Sequence, residues 1–433
     1  MTDQVRAREG VSSVQRGGEA PAALHVAMTS PFVWPWVRRG SERLLHDLSR
    51  YLLDRGHRVS VYSTGPEDGC EDRGGVVYHL LRQRWATGLR QFNGCHDFAF
   101  RLRRVLARCD ADIVFCMNYF DAYAAICARR HSGARYPVVF HSAGILSRRH
   151  FRAVPLDAWF FRAVRREASL TLAVSQFAGA AFKRSFGIEP AVLAPPVVVE
   201  NFSPERPEDA QGTLPGPRVM FVGDADERRK GARALCRAFA LVRERHPQAQ
   251  LLFSGHASPA TQQALLDISA RAGTSNQVTF IGVGRVGDLP GHYRSAAVTV
   301  LPAIAEAFGM VLAESLAAGT PVVGARHGGI TEIIDDGRIG RLFDPGDALE
   351  ETNNVRGLAD AILQVLAQGK TPEVVAACRA KAQRYSWTVL GPEYERLLQG
   401  VVRAGNEALS RPPDPMLREA TAADRSGIDD ARP

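Results

Sequence analysis

The stretch EAFGMVLAESLAAGTPVVGARHGGITEIIDDGRIG, residues 306–340, contains two glutamates, Glu306 and Glu314, with seven residues between them. A strand-like segment, VTVLP (298–302), precedes it, and the apolar residues after Gly309 recur at helical spacing. In parallel α/β folds, ligands bind beyond the carboxyl ends of the strands. The pattern therefore predicts a strand, a loop that carries Glu306 and a helix that carries Glu314, with both carboxylates facing one ligand.

Short apolar runs alternate with helix-length amphipathic stretches on both sides of this block, which is typical of parallel sheets with crossover helices. The alternation starts at Ala22, stops in a segment rich in Pro, Gly and acid, and restarts at Arg218. We therefore predict an α/β protein of two domains. Its predicted parts are a disordered leader (1–21), an N-terminal Rossmann-like acceptor domain (22–200), a linker (201–217), a C-terminal Rossmann-like domain (218–385), a C-terminal helix that returns to the N-terminal domain (386–405) and a disordered tail (409–433). Within the first domain, Ser41 is predicted to cap a helix that Gly56 ends.

The composition restricts the class of protein. The chain has 433 residues, a net charge of +8, seven scattered cysteines and no long uncharged apolar run. It also has no apolar segment near its start of the kind that a signal peptide needs. We expect reduced thiols and a cytoplasmic location. The positive charge suits an anionic membrane surface or a phosphorylated ligand, and no nucleic-acid-binding motif supports a nucleic-acid partner.

Two turns after predicted strands combine glycine with positive charge: PFVWPWVRRGSE (31–42) and FVGDADERRKGARAL (221–235). Glycine lets a backbone approach a ligand closely, and the amides at a helix start attract phosphate. The cations Arg228, Arg229 and Lys230 suit a diphosphate, although a solvated basic turn is the plainer interpretation. Neither turn is a GxGxxG or GxxxxGK[ST] motif, so dinucleotide and P-loop sites lose their main support.

A nucleotide-sugar would explain the acids and the basic turn together. Its ribose and sugar hydroxyls favour carboxylate acceptors, because charge-assisted hydrogen bonds are about twice as strong as neutral ones. Its diphosphate favours amides and cations. Taken alone, Glu306 and Glu314 are better explained as one glutamate near a helix start and one on an exposed helix face.

The chain resembles the retaining glycosyltransferases of family four, with their E-x7-E motif. The similarity extends over residues 24–398 and is most specific in residues 278–347. It includes FVGDADERRKG, VVFHSAG and LTLAVS. The resemblance implies the GT-B fold, in which two facing Rossmann-like domains with parallel sheets enclose a donor cleft.

The same resemblance implies roles for individual residues. Glu306 would hold the hydroxyls of the donor sugar, Glu314 the ribose and Lys230 the diphosphate, while His141 would face the sugar near the transferring carbon. The implied catalytic residues are His141 and Glu306, and the implied donor-binding residues are Gly40, Gly223, Arg228, Arg229, Lys230, Phe308, Gly309, Met310, Val311 and Glu314. The motif GGITE (328–332) would line the same side of the cleft.

Three positions depart from the family pattern. Asp224 stands where the family usually has arginine, so Arg228 or Arg229 would supply the second cation. Ala307 replaces a common glycine, and APPVVVENF (194–202) replaces the usual asparagine-glycine after the sixth strand.

The implied reaction is metal-independent sugar transfer, without a cofactor, from a UDP- or GDP-linked sugar to an acceptor hydroxyl, with retention at the anomeric carbon. The acceptor could be a lipid, a polysaccharide or a small natural product. The alternatives are an inverting GT-B transferase, a sugar-nucleotide epimerase and a basic, membrane-associated protein that binds sugar-nucleotides without catalysis. Arginines and aromatics in residues 146–170 are compatible with peripheral contact with the inner membrane face. A helix that packs its aromatics inward is the favoured interpretation, because it must cover a face of the sheet.

Overall fold

The computed structural model describes residues 23–82, 94–202, 216–284, 287–347 and 351–410, with side chains up to residue 407. The predicted leader and most of the predicted linker lie outside the described residues. So does the predicted tail from residue 411 onward.

The N-terminal domain is built on an eight-stranded sheet with strand order β3-β4-β2-β1-β5-β6-β7-β8. Its strands are β1 (His25–Thr29), β2 (Arg58–Gly65), β3 (Gly69–Arg73), β4 (Val76–Arg82), β5 (Ile113–Cys116), β6 (Val138–Ser142), β7 (Leu170–Ala173) and β8 (Ala191–Val192). All neighbouring strands are parallel except the edge pair β3–β4, which is antiparallel. The central strands are buried along their whole length because helices cover both faces of the sheet.

The C-terminal domain contains a six-stranded, wholly parallel sheet with strand order β11-β10-β9-β12-β13-β14. Its strands are β9 (Arg218–Val222), β10 (Gln250–Ser254), β11 (Val278–Gly282), β12 (Val298–Leu301), β13 (Val322–Ala325) and β14 (Gly340–Phe343). The strands β9 and β12 are neighbours, so the loops that follow them lie side by side at one edge of the sheet.

Fourteen α-helices connect and flank the strands in the described residues. They are α1 (Gly40–Asp54), α2 (Gly94–Leu106), α3 (Tyr119–Ser132), α4 (Arg148–Ala153), α5 (Pro155–Glu167), α6 (Gln176–Phe186), α7 (Ala232–Arg245), α8 (Pro259–Arg271), α9 (Leu289–Ser295), α10 (Met310–Ala317), α11 (Ile330–Ile333), α12 (Val355–Gln368), α13 (Pro372–Gln383) and α14 (Trp387–Ser410). Two parallel-sheet domains with crossover helices confirm the predicted fold class.

The last helix, α14, belongs in space to the N-terminal domain. Leu390, Tyr394 and Leu398 on α14 join the apolar core between α1 and the N-terminal sheet. Glu395 accepts hydrogen bonds from the Arg55 Nε, at 3.0 Å, and from the His57 Nε2, at 3.2 Å. The helix runs to Ser410, five residues beyond its predicted end, so residues 409 and 410 are helical and not part of a tail.

The two domains share one apolar core beneath the cleft. It contains Ala173 and Val174 from the end of β7 together with Phe308 and Leu312 from the C-terminal domain. The carboxyl ends of both sheets therefore face each other across the cleft, and the shared apolar core forms the floor of the cleft.

The start of α1 differs from the prediction. The helix begins at Gly40, and Arg39, not Ser41, occupies the capping position without a side-chain capping bond. The Ser41 hydroxyl instead donates to the Glu42 carboxylate, which also pairs with the Arg39 guanidinium at 2.9 Å. The acidic side chain in the first turn is favourable beside the helix N-terminus, although it makes no capping bond to the backbone.

Candidate active site

The loop that carries Glu306 joins β12 to α10 and has an unusual backbone. Ala305 has a φ of 54° and Gly309, directly before the helix, has a φ of 101°. A left-handed conformation at a residue with a side chain costs free energy, and such positions concentrate at functional sites. No side chain caps the N-terminus of α10, so the amides of Met310 and Val311 point towards the space in front of the helix.

The glycine pair of the GGITE motif packs directly against the backbone of this loop. A β-carbon on Gly328 would lie 2.1 Å from the Glu306 carbonyl oxygen, and one on Gly329 would lie 2.3 Å from the Ala307 carbonyl oxygen. The Gly329 amide donates to the Glu306 carbonyl at 2.9 Å. Only glycine fits at both positions, because any side chain would push the loop away.

The basic turn after β9 packs against the segment that follows β12. Gly231 has a φ of 78°, and a β-carbon there would lie 2.5 Å from the Pro302 carbonyl oxygen. The Ile304 amide also donates to the Arg229 carbonyl at 2.9 Å. Gly223, with a φ of 151°, starts the turn at the end of the strand. These contacts fix where the cations of the turn point.

The side chains of the turn meet the first glutamate. The Lys230 Nζ lies 2.5 Å and the Arg229 Nη1 3.4 Å from the Glu306 Oε2. The side chains of Lys230 and Glu306 expose only 16% and 14% of their surface. Arg228 is exposed, so of the two arginines the structure places Arg229 at the glutamate.

The second glutamate has different neighbours. The Glu314 carboxylate, half-buried on α10, accepts a hydrogen bond from the Tyr293 hydroxyl at 2.9 Å. Burial raises the pKa of Glu314, while the positive charge of Arg43 on α1 and the bond from Tyr293 oppose that shift. Glu314 is therefore oriented by a buried tyrosine and lies within the field of the N-terminal domain.

The N-terminal loop reaches across to the start of α10. A β-carbon on Gly40 would lie 2.8 Å from the Met310 Sδ, so the start of α1 lies against the start of α10. The Arg38 Nη1 donates to the Gly284 carbonyl oxygen of the other domain at 2.6 Å. The cleft is thus closed on the side of this loop.

His141 lies at the carboxyl end of β6 and is fully buried. Neither of its ring nitrogens has a hydrogen-bond partner within the described parts of the chain. Burial lowers the pKa of His141 to about 4, so the ring is neutral at physiological pH. The imidazole carries unused donor and acceptor capacity but has no exposed surface.

The sequence pattern does not indicate two of the residues that contact the loop, His327 and Ser175. His327 accepts the Ala305 amide on its Nδ1 at 3.0 Å, and Ser175 donates to the Ala307 carbonyl oxygen. Glu332, the last residue of the predicted GGITE motif, accepts amides of α6. His327 lies directly before the glycine pair, which is the one local signal that could have found it.

Comparison with known proteins agrees with this geometry. The family model "Glycosyltransferase Family 4" matches residues 38–202, and the model "Glycosyl transferases group 1" matches residues 216–368. The phosphatidyl-myo-inositol mannosyltransferase of Mycobacterium tuberculosis is 31% identical over 391 residues, which cover 88% of this chain and 98% of that protein. The chain belongs to glycosyltransferase family 4. This family 4 protein is therefore an enzyme that transfers sugars, as the sequence predicted.

Other relatives of this glycosyltransferase fall in the same class. A D-inositol 3-phosphate glycosyltransferase from Arthrobacter sp. is 37% identical over 175 residues, or 39% of this chain and 41% of that protein. The sucrose-phosphate synthase structure from Thermosynechococcus elongatus superposes with a TM-score of 0.75 at 20% identity, covering 88% of this chain and all of that one. The structure of HepE from Anabaena with UDP and glucose has a TM-score of 0.67 at 20% identity, over 86% and 99% of the two chains. At these identities the structures establish the GT-B fold alone.

One group of side chains in the described part of the glycosyltransferase has metal-ligand spacing. Possible ligand atoms of Asp224, Asp226 and His256 lie within 4.8 Å of one another. The Asp226 carboxylate, however, already accepts bonds from the amide and the hydroxyl of Ser258 at the start of α8. These bonds explain Asp226 as part of a helix cap, and we assign no metal to the group.

Proposed function

We propose that this enzyme transfers a hexosyl group from a nucleoside-diphosphate sugar to an acceptor hydroxyl, with retention at the anomeric carbon. The observation that carries the proposal is the convergence of Lys230, Arg229 and Glu306 in front of the N-terminus of α10. Cations and helix amides are the groups that bind a diphosphate, and a carboxylate beside them suits sugar hydroxyls.

Each group would have a defined task during the reaction. As the bond from the anomeric carbon to the phosphate oxygen breaks, negative charge grows on the diphosphate, where Lys230 and the amides of α10 stabilise it. Glu306 would orient the sugar by accepting its hydroxyl hydrogens, and Glu314 would accept those of the ribose. The neutral imidazole of His141 can donate one hydrogen bond and accept another.

Retention is proposed through a front-face path. The acceptor oxygen bonds to the anomeric carbon on the face that the phosphate leaves, and the departing phosphate oxygen takes the acceptor proton. The path needs no protein nucleophile, which agrees with a Glu306 carboxylate that is already paired with Lys230 at 2.5 Å.

For the acceptor we propose a polyol that carries a phosphate, either a free cyclitol or an inositol lipid. The relatives named above act on phosphatidyl-myo-inositol and D-inositol 3-phosphate. Arg38 and Arg39, both exposed on the N-terminal loop beside the cleft, would supply cations for the phosphate. A mannosyl donor linked to GDP and a donor linked to UDP are the two arms to test first.

A peripheral membrane contact on the cytoplasmic side is proposed for α4 and α5. Their exposed basic residues are Arg148, Arg149, Arg152, Arg162, Arg165 and Arg166. Trp159 on α5 is 55% exposed, whereas Phe160 and Phe161 are buried in the domain. An exposed tryptophan among arginines suits the surface of an anionic bilayer. Among the described residues, no helix combines the length and the apolarity that crossing a membrane requires.

The test is an assay with UDP-glucose, UDP-N-acetylglucosamine and GDP-mannose, each with D-inositol 3-phosphate or phosphatidylinositol vesicles. Proton NMR of the product reports the anomeric configuration. We expect an α-linked product from an α-linked donor. A β-linked product would favour the inverting alternative, and donor conversion that needs no acceptor would favour an epimerase.

A further inference from the structure

The loop that carries Glu306 is held by both domains. Its N-terminal partner is Ser175, which follows β7 and is 1% exposed. The Ser175 hydroxyl donates to the Ala307 carbonyl oxygen at 2.6 Å, across 132 positions of sequence. Because the neighbouring carbonyl of Glu306 accepts the Gly329 amide, two adjacent peptide groups of the loop are fixed by opposite domains.

The position of the Ser175 hydroxyl is itself fixed. Ser175 is the N-cap of α6, and its oxygen accepts the Ala178 amide at 3.0 Å while it donates to Ala307. A capping hydroxyl takes its orientation from the helix it caps. The loop is therefore attached to the axis of α6, a rigid element of the N-terminal domain.

Glu332 of the C-terminal domain binds the same end of α6. One carboxylate oxygen accepts the Gln176 amide at 3.0 Å and the other accepts the Phe177 amide at 2.9 Å. A negative charge is favourable at a helix N-terminus, and bonds to an ionised acceptor are the stronger kind. Ser175 and Glu332 together satisfy the first three amides of α6.

The backbone at Glu332 is held by α13 and by the segment that follows it. Its carbonyl oxygen accepts the Lys381 Nζ at 3.1 Å and the Tyr385 hydroxyl at 3.2 Å. The carbonyl of Tyr385 in turn accepts the Val197 amide, where the chain leaves the N-terminal domain. Glu332 also lies three positions after Gly329, which supports the Glu306 carbonyl. The segment 329–332 thus contacts the Glu306 loop, the start of α6, and the residues next to the point where the chain leaves the N-terminal domain.

We infer that Ser175 and Glu332 are positioning residues, which set the Glu306 loop against the N-terminal half of the cleft. Neither side chain lies among the groups proposed to touch the donor. The inference rests on the proposed function, since it concerns the alignment of the donor sugar with an acceptor held by the other domain. A misplacement of about 1 Å at such a centre can cost about 100-fold in rate.

The test uses Ser175→Ala and Glu332→Gln, because alanine removes the hydroxyl and an amide offers one acceptor oxygen in place of two. We expect kcat to fall at least about tenfold in each, with the donor KM changed less than about threefold. The ratio of donor hydrolysed by water to donor transferred should rise several-fold. This ratio does not depend on how much of the protein is folded, so a loss of stability alone would not move it.

Controls separate positioning from capping. Ser175→Thr keeps the hydroxyl and should retain the wild-type kcat and the wild-type ratio of hydrolysis to transfer. Asn354→Ala removes the capping side chain of α12, whose bond to the Gly357 amide stays within one domain, and should leave the ratio unchanged. The double variant Ser175→Ala/Glu332→Gln should be no slower than about the worse single variant, because both act through one helix end.

Failure of the inference is distinguishable from failure of the proposed function. If wild-type protein neither binds nor hydrolyses UDP-glucose, UDP-N-acetylglucosamine or GDP-mannose, the proposed function falls. If wild type turns over one of them and both variants keep its kcat and its hydrolysis-to-transfer ratio, the positioning role is overturned and the function stands.

Discussion

The polar groups compared on the two sides of the cleft differ in charge: those on the C-terminal side are ionised, and the buried ones on the N-terminal side are neutral. On the C-terminal side, Lys230 and Glu306 form an ion pair at 2.5 Å. On the N-terminal side, burial lowers the pKa of His141 to about 4 and raises that of Asp121, in the first turn of α3, to about 8. Both groups are therefore mainly neutral at pH 7. The ion pair on the C-terminal side is charged, and the buried groups His141 and Asp121 on the N-terminal side are uncharged.

Packing shows the same contrast. The loops of the C-terminal side are locked by glycines whose β-carbons would lie within 2.5 Å of a carbonyl oxygen, namely Gly231, Gly328 and Gly329. On the N-terminal side, the ring nitrogens of His141 and the Oδ1 of Asp121 lack partners within the described residues. The loops of the C-terminal side are thus fixed by close backbone packing, while the N-terminal side has buried polar atoms without partners in the described part of the chain.

Removing the charges of the C-terminal side should have the largest effect. We expect Lys230→Ala and Glu306→Gln each to lower kcat/KM by about 100- to 1,000-fold, because each removes a contact to the developing charge or to the sugar. Steady-state kinetics with the best donor measures this. The control Lys183→Ala removes a surface lysine that pairs with Glu189, and it should stay near wild type. Equal kinetics in all three variants would remove the contrast between the two sides.

The glycine lock is tested by Gly329→Ala. The added methyl would meet the Ala307 carbonyl at 2.3 Å, so we expect a loss of about 1–3 kcal/mol in the free energy of unfolding, together with weaker donor binding. Urea denaturation and calorimetric titration measure the two effects. Gly400→Ala in α14, where nothing lies within 4 Å, should instead stabilise the protein by about 1 kcal/mol. A Gly329→Ala protein as stable as wild type would show that the loop is not locked.

The neutral side is tested by pH. The pKa of His141 falls from its ordinary 6.5 to about 4 on folding, so its neutral ring supports the fold fully above pH 6.5. That support is lost as the pH falls towards 4, because the unfolded chain then binds a proton that the folded protein excludes. Between pH 7 and pH 4 we expect this loss to reach about 3 kcal/mol. It is measured as the extra decrease in the free energy of unfolding of wild type relative to His141→Leu over that pH range.

The matched control for this pH series is His131→Leu, at an exposed position in the last turn of α3. Its pH profile should follow that of wild type. Parallel profiles for wild type and His141→Leu would mean that the buried imidazole does not titrate as its environment requires.

The smallest expected effect concerns the outer surface of the N-terminal domain. Arg165→Gln should weaken binding to phosphatidylserine or phosphatidylinositol vesicles by roughly fivefold, since one basic residue near an anionic surface contributes about 1 kcal/mol. Turnover with a soluble acceptor should not change. Arg271→Gln, an exposed arginine of the other domain, serves as the control in vesicle sedimentation. A loss shared equally by both variants would argue against α4 and α5 as the contact surface.

Much of the C-terminal side could be predicted because its signals are local. Strand ends, glycines and charges within residues 218–235 and 298–332 place Lys230 beside Glu306 once β9 and β12 are neighbours. The sequence does not predict which of Arg228 and Arg229 lies at Glu306, because that depends on the orientation of the short 3-10 helix Arg228–Lys230.

The remaining features depend on contacts between distant segments. The Ser175 hydroxyl finds its partner 132 positions away, and no local pattern indicates that bond. The predicted cap at Ser41 was wrong because the helix begins one residue earlier, at Gly40, and the Ser41 hydroxyl donates to the Glu42 carboxylate. His141 lies near the end of β6, but its complete burial comes from the packing around it, which the VVFHSAG stretch alone does not indicate. These features depend on long-range packing, which local sequence patterns do not indicate.

Calorimetric titration of GDP-mannose and UDP-glucose into wild type and Lys230→Ala measures donor binding at the pair of Lys230 and Glu306 in the absence of sugar transfer. We expect saturable binding of at least one donor to wild type, and binding to Lys230→Ala that is weaker by tenfold or more, about 1.4 kcal/mol. Identical affinities in the two proteins, or heat from neither donor, would rule out the proposed donor site.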